Sequence, residues 1–192
     1  DGLADIWEKT FAGGSLTLMN QYTNNDADDL LDLQEFRAGT NPKNSDTDGD
    51  TLDDARELLE LGTDPTRKDT DGDGVDDNVE LALGTDPLRA DSDGDGLTDG
   101  AELNSFGTDP LLADSDGDGM DDGYEIIHGF NPLDSADGDE DADNDGLSNT
   151  DEAAQGTDPW NLDSDGDGYD DGAEIALGTN PMNAGSTPPS AI

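Results

Sequence analysis

The chain has 192 residues, 51 of them acidic and 7 basic, a formal net charge of −44, and no cysteine. That balance excludes partners that are themselves polyanions, nucleic acid and anionic membrane alike, and the lack of cysteine excludes disulfide bracing. No apolar run is long enough to span a membrane or to form a signal peptide. With 30% hydrophobic residues, such a chain is expected to stay expanded by self-repulsion unless something positive sits among its acids.

The acids are not scattered. Residues 1–8 (DGLADIWE) match positions 5 to 12 of a twelve-residue loop, with Asp1, Leu3, Asp5 and Glu8 as candidate ligands, so the first half of that loop is expected upstream. Residues 9–23 form an insertion containing the strand-like run SLTLM; a tucked insertion filling a bend and a contact with a neighbour are both open readings. The first complete loop, residues 24–35, places Asn24, Asp26, Asp28, Leu30, Asp32 and Glu35 at positions 1, 3, 5, 7, 9 and 12, with Asp29 where a glycine is expected. The second repeats this with Asp46, Asp48, Asp50, Leu52, Asp54 and Glu57, and Thr51 replaces the glycine. The third has Asp69, Asp71, Asp73, Val75, Asp77 and Glu80. Asp91, Asp93, Asp95, Leu97, Asp99 and Glu102 make the fourth. Asp114, Asp116, Asp118, Met120, Asp122 and Glu125 make the fifth. A second insertion at 126–140 adds Asp134, Asp137, Asp139 and Glu140, for which an additional ion site and plain solvation stay open. Asp141, Asp143, Asp145, Leu147, Asn149 and Glu152 form the sixth loop, and Asp163, Asp165, Asp167, Tyr169, Asp171 and Glu174 the seventh. Repeats one to five thus occupy 24–140, repeats six and seven 141–184, and 185–192 reads as a Pro/Ser-rich tail or linker.

Oxygen side chains at positions 1, 3, 5, 9 and 12, a backbone carbonyl at position 7 and a glycine at position 6 are the ligand pattern of an EF-hand loop. Six to eight oxygens suit Ca²⁺, a hard cation, about one per loop and seven or more per chain. Closing glutamates recur every 22–23 residues outside the insertions, the mark of a repeat array with no single globular core. After each loop, a pattern such as DDARELLELG predicts about two helical turns ended by a left-handed glycine. The TDP or TNP that follows forbids helix continuation. Its aspartates (Asp64, Asp86, Asp109, Asp158) are either Asx-turn residues or ligands of a second site. Position 8, apolar where sensor EF-hands pair, is Asp53, Asp76, Thr98, Asp121, Ser148 or Asp170 here, with Leu31 the exception; paired sensor lobes are not expected. Apolar burial is expected at position 7 (Val75, Leu97, Tyr169), position 13 (Leu81, Leu103, Ile175) and after the proline (Leu88, Leu111, Trp160). Three side chains per unit are too few to order it, so cation binding is expected to supply the stability. His128 is the only histidine and makes no zinc site alone. Trp7 and Trp160 read as packing residues, and no unit carries a group left over for catalysis.

The units D-x-D-G-D-G-x-x-D-x-x-E followed by G-T-D-P resemble thrombospondin type 3 repeats of the bacterial kind, over nearly the whole chain. The resemblance implies calcium ions arrayed along an extended, secreted or surface-anchored segment. The expected fold is a repeat or solenoid-like array of calcium-binding loops, each followed by a short α-helix, with a small core and little or no β-structure. The expected role is an extracellular or cell-surface bacterial spacer, stalk or filament segment, self-associating into a filament or larger surface assembly. An adhesive module that contacts protein or glycan is the alternative, and an enzyme is not expected.

Overall fold

The computed structural model describes residues 9–11 and 22–187. The half-loop at residues 1–8 with Asp1, Leu3, Asp5, Trp7 and Glu8, the strand-like run of the first insertion, and residues 188–192 lie outside the described residues. The chain divides into two units, Asp1–Ser92 and Asp93–Ile192, built from the same repeating element. Among the described residues there is no strand.

Each helix begins within its loop, at position 9: α1 (Asp32–Ala38), α2 (Asp54–Arg56, continuing through Glu57–Leu61), α3 (Asp77–Leu83), α4 (Asp99–Ala101, continuing through Glu102–Phe106), α5 (Asp122–His128), α6 (Asn149–Gln155) and α7 (Asp171–Leu177). Position 8 is the N-cap of every one, in extended conformation. It is Asp, Ser or Thr in all but one loop, residues that favour caps, although the side chains of Asp53, Asp76, Asp121 and Asp170 make no capping hydrogen bond. The hydroxyls of Thr98 and Ser148 accept from the amides of Ala101 and Asp151 (3.2 and 3.1 Å). Each helix ends on a glycine at positive φ, from Gly39 (87°) to Gly178 (77°), as the sequence leads one to expect. Among the described residues no helix leads into the start of a loop, so each unit is half an EF-hand.

The periods of 22 and 23 residues have a structural cause. From closing glutamate to capping glycine there are four steps in α3 (Glu80 to Gly84) but five in α2 (Glu57 to Gly62) and α4 (Glu102 to Gly107). The extra residue is taken up as a π-helical turn: Gly62 and Gly107 donate to the carbonyls of Glu57 and Glu102, both at 2.7 Å. Gly84 makes the ordinary bond to Glu80, also 2.7 Å. The π-turn keeps both the glutamate and the glycine cap in place.

The interior is acidic. Leu30, Leu52, Val75, Met120 and Leu147, all at position 7, are buried as expected. The carboxylates or amide at position 9 and the glutamates at position 12 are 0% exposed in every complete loop. The expectation for the residue after proline is overturned: Leu88, Leu111 and Trp160 are 48%, 47% and 58% exposed. The proline itself is the buried residue in every repeat, beside a buried threonine in most, because the turn folds its apex inward and directs the next side chain out. Tyr169 at position 7 and Leu103 and Ile175 at position 13 are likewise exposed, at 37%, 40% and 37%. Trp160 still has partners, stacking on Phe130 (centroids 5.4 Å) and donating from Nε1 to the His128 carbonyl (2.9 Å).

The π-turn yields a test. Deleting Leu59, which is 60% exposed, turns ELLELG into ELELG, the pattern of α3. The cation-loaded chain should then keep its melting temperature within about 4 °C, the shift that ~1 kcal/mol produces at this chain length. Circular dichroism melts decide it, and a larger loss would mean the extra residue is needed for packing.

Candidate metal centres

Each loop folds around its own backbone. In the third, Asp69 accepts from the amides of Gly72 (2.6 Å) and Gly74 (3.0 Å), Asp71 from Asp73 (3.2 Å) and Asp73 from Val75 (2.8 Å). The second, fifth, sixth and seventh loops repeat this ladder. The fourth spans the boundary between the units. From Asp93 onward it shows the same bonds, Asp95 to Asp93 (3.3 Å) and Leu97 to Asp95 (2.7 Å). The turn needs positive φ at position 6, which glycine takes freely. Asp29 (75°) and Thr51 (85°) take it too, at the steric cost of a side chain in the left-handed region.

This ladder occupies one oxygen of each aspartate at positions 3 and 5 and leaves the other turned inward. The second oxygens of Asp48, Asp50, Asp71, Asp116, Asp143, Asp165 and Asp167 are buried with no hydrogen-bond partner, as are both oxygens of Glu35, Glu125, Glu152 and Glu174. Carboxylate oxygens of Asp26, Asp28 and Glu35 come within 4.8 Å of one another, as do those of Asp46, Asp48 and Asp50, and of Asp69, Asp71 and Asp73. Buried charges of one sign persist only when they coordinate a cation or take up protons. An oxygen-only cation fits these donors. Nitrogen and sulfur are out of play, for there is no cysteine and His128 is engaged with Tyr124, donating from Nδ1 to its carbonyl (2.8 Å).

Position 9 is placed where local spacing could not foresee. Its carboxylate accepts from the position 2 residue of its own loop: Asp54 from the Thr47 amide and hydroxyl (both 2.7 Å), and Asp77 from those of Thr70 (2.8 and 2.7 Å). In the third loop it also faces the loop before. Asp77 of the third loop lies within 4.8 Å of Asp50 and Glu57 of the second, all three buried. Position 10 adds a second link, as the amides of Gly123 and Gly172 donate to Asp95 (3.0 Å) and Asp145 (2.6 Å) of the preceding loops. Asn149, at position 9 of the sixth loop, donates its side-chain amide to the Asp137 carbonyl (2.7 Å) and accepts from the Ala142 amide (3.3 Å).

Two further roles emerge. In the two repeats with a π-turn, the threonine of the G-T-D-P turn supports the closing glutamate: Thr63 and Thr108 donate to Oε1 of Glu57 (3.2 Å) and Glu102 (3.1 Å). Its signal in the sequence was its place directly after the capping glycine, six residues after the glutamate in these two repeats and five where the helix lacks the extra residue. The aspartates of the same turn are Asx-turn residues, for Asp64, Asp86, Asp109 and Asp158 each accept from the amide two residues on, at 3.1 Å.

Crowding raises the proton affinity of these groups. Burial first, then neighbouring aspartates, push Glu35, Glu57, Glu125 and Glu152 from an ordinary 4.5 to about 8 and Glu102 to about 7. Asp48 and Asp71 rise from 3.8 to about 6, again mainly through burial. A carboxyl whose folded value lies above its unfolded one supports the fold fully below the unfolded value. That support is lost as pH rises through the folded value. In chelator, the helical circular dichroism signal should therefore be larger at pH 5 than at pH 8. With divalent cation in excess the order should reverse, because protons compete for the same oxygens. The same pH trend in both conditions would show that these carboxylates do not share a cation.

The match to the family Bacterial TSP3 repeat falls on this architecture, six times, at residues 46–68, 69–90, 91–113, 114–135, 141–161 and 163–184. Curated proteins offer no match. Among solved structures, a biofilm associated protein B domain is 40% identical over 23% of this chain (TM-score 0.23). A biofilm associated protein BSP domain is 41% identical over 22% (TM-score 0.22). The chain spans 11% and 8% of those two chains. Loop ladder, buried glutamate, glycine cap and buried proline recur together in each matched segment, and the chain belongs to the bacterial TSP3 repeat family.

Proposed function

We propose that the chain is a calcium-binding extracellular or cell-surface structural segment whose repeats are locked to one another by the ions they hold. The observation that carries this reading is the shared site: Asp50 and Glu57 of one repeat and Asp77 of the next converge on one point. A cation there joins two consecutive repeats, which suits a spacer or stalk better than a sensor that must open. Calcium is favoured because the donors are all oxygens and enough of them converge for a shell of six to eight. Location follows from affinity. Extracellular calcium modules bind at about 10⁻⁴–10⁻³ M, which calcium outside cells satisfies and cytosolic calcium does not. Among the described residues no helix is long and apolar enough to cross a membrane. Self-association into a filament or surface assembly would need calcium bridging or apolar burial, because chains of charge −44 repel. A second reading, an adhesive module, draws on the stacked Phe130–Trp160 pair and on Ile127, 79% exposed nearby in sequence.

Calorimetry should find about one calcium per complete loop, and excess chelator should abolish most of the helical signal. Small-angle scattering of the calcium-loaded chain should give a radius of gyration well above the ~16 Å of a globule of this length. A compact value would favour the adhesive module, and retention of full helicity in chelator would remove calcium from its structural role.

A further inference from the structure

The second insertion is not a featureless lengthening. α5 runs through His128 and is capped by Gly129 as in other repeats, so the departure begins after Asn131 and Pro132. Elsewhere, the turn residue before proline donates its amide to the hydroxyl six residues on, at position 2 of the next loop: Asp64 to Thr70 (2.9 Å), Asp109 to Ser115 (3.0 Å), Asp158 to Ser164 (2.9 Å). In the insertion the Asn131 amide also donates six residues on, but to Oδ2 of Asp137 (3.0 Å). The sixth loop itself has Ala142 at position 2 and Asn149 at position 9. It therefore lacks the position 2 hydroxyl that takes the turn amide in loops two, three, four, five and seven and the position 9 carboxylate of the other loops.

Asp137 and Gly138 stand where those groups are missing. The fourth, fifth and seventh loops carry Asp-Gly at positions 9 and 10, and in the last two these are Asp122-Gly123 and Asp171-Gly172. There the glycine packs so closely on the preceding loop that a Cβ would lie 2.3 Å from the Asp95 carbonyl or 2.5 Å from that of Asp145. A Cβ on Gly138 would lie 2.3 Å from Oδ2 of Asp118, position 5 of the fifth loop. Thr150, the residue at position 10 of the sixth loop, sits one layer back and donates to the carbonyls of both Gly138 (3.1 Å) and Asp118 (3.2 Å). Asn149 holds the Asp137 carbonyl. Oδ1 of Asp137 is buried with no hydrogen-bond partner. Opposite it, Glu125 is 0% exposed with both oxygens likewise unpartnered, and its charge neighbours include Asp116, Asp118 and Asp137.

We infer that Asp137 and Gly138 replace the ninth and tenth residues of the sixth loop, with the Asp137 carboxylate completing the cation shell of the fifth. This rests on the reading of the loops as calcium sites and assigns the insertion a ligand role in an existing site. The full chain, titrated with buffered calcium and followed by amide NMR, tests it through Gly119 of the fifth loop and Gly168 of the seventh. Asp137→Asn should move the Gly119 midpoint to free calcium at least about tenfold higher and leave Gly168 unchanged. Asp139→Asn, which removes the same charge from an exposed neighbour, should move neither. A Gly119 shift no larger than Asp139→Asn produces would overturn the inference alone. Absence of any calcium response in the unsubstituted chain would overturn the calcium reading and the inference with it. Should Asp137→Asn fail to give a folded spectrum, Gly138→Ala decides by the same readout, since it keeps every carboxylate but forces its Cβ against Asp118. An unchanged Gly119 midpoint there would be equally fatal.

Discussion

Among the described residues, seven glutamates and one asparagine are among the largest fully buried side chains, beside two apolar ones of comparable burial, Leu30 and Met120. A domain that buries like charges where others bury leucine cannot hold together through the hydrophobic effect alone. Everything else in the repeat serves to bring those carboxylates to one point and hold them there. The glycines of the loop turn the chain sharply enough. The amide ladder fixes one oxygen of each aspartate so that the other faces inward. The short helix delivers the closing glutamate from its first turn. The buried proline and threonine then reverse the chain beneath it.

The same constraint makes neighbouring repeats interdependent. Because Asp77 is tied to its own loop by Thr70 and faces Asp50 and Glu57 of the preceding one, a cation bound between them would be a joint. Stability in such arrays is carried by nearest-neighbour interfaces as much as by each unit. Loss of the cation leaves repulsion within a unit and across its joint together. The carboxylates that would hold a cation are also those whose proton affinity burial raises, so pH and metal would act on one set of atoms.

Variation is tolerated where it leaves the donors in place. An added residue in α2 and α4 becomes a π-turn, because the glutamate and the capping glycine are both anchored and only the chain between them can adjust. Asp29 and Thr51 accept left-handed backbone at the turn because the ladder on either side demands it. The insertion before the sixth loop keeps an aspartate and a glycine against the fifth although the sixth loop has lost its own.

The donor spacing by itself determined the family, the repeat, the oxygen-only chemistry, the loop-then-helix order and the glycine caps. All of these rest on residues within about one turn of each other, where local geometry is decided by residue type. The repeat-to-repeat contacts were out of its reach. Gly123 meets Asp95 across 28 positions and Gly172 meets Asp145 across 27, and a pattern that repeats every 22–23 residues does not say which copy a side chain faces. So the tertiary structure decided that position 9 looks backward along the chain and that Asn149 is occupied by the insertion. It also decided that proline, not its successor, is buried. In each case the deciding factor was how closely two consecutive backbones approach, a distance fixed by packing and not by spacing.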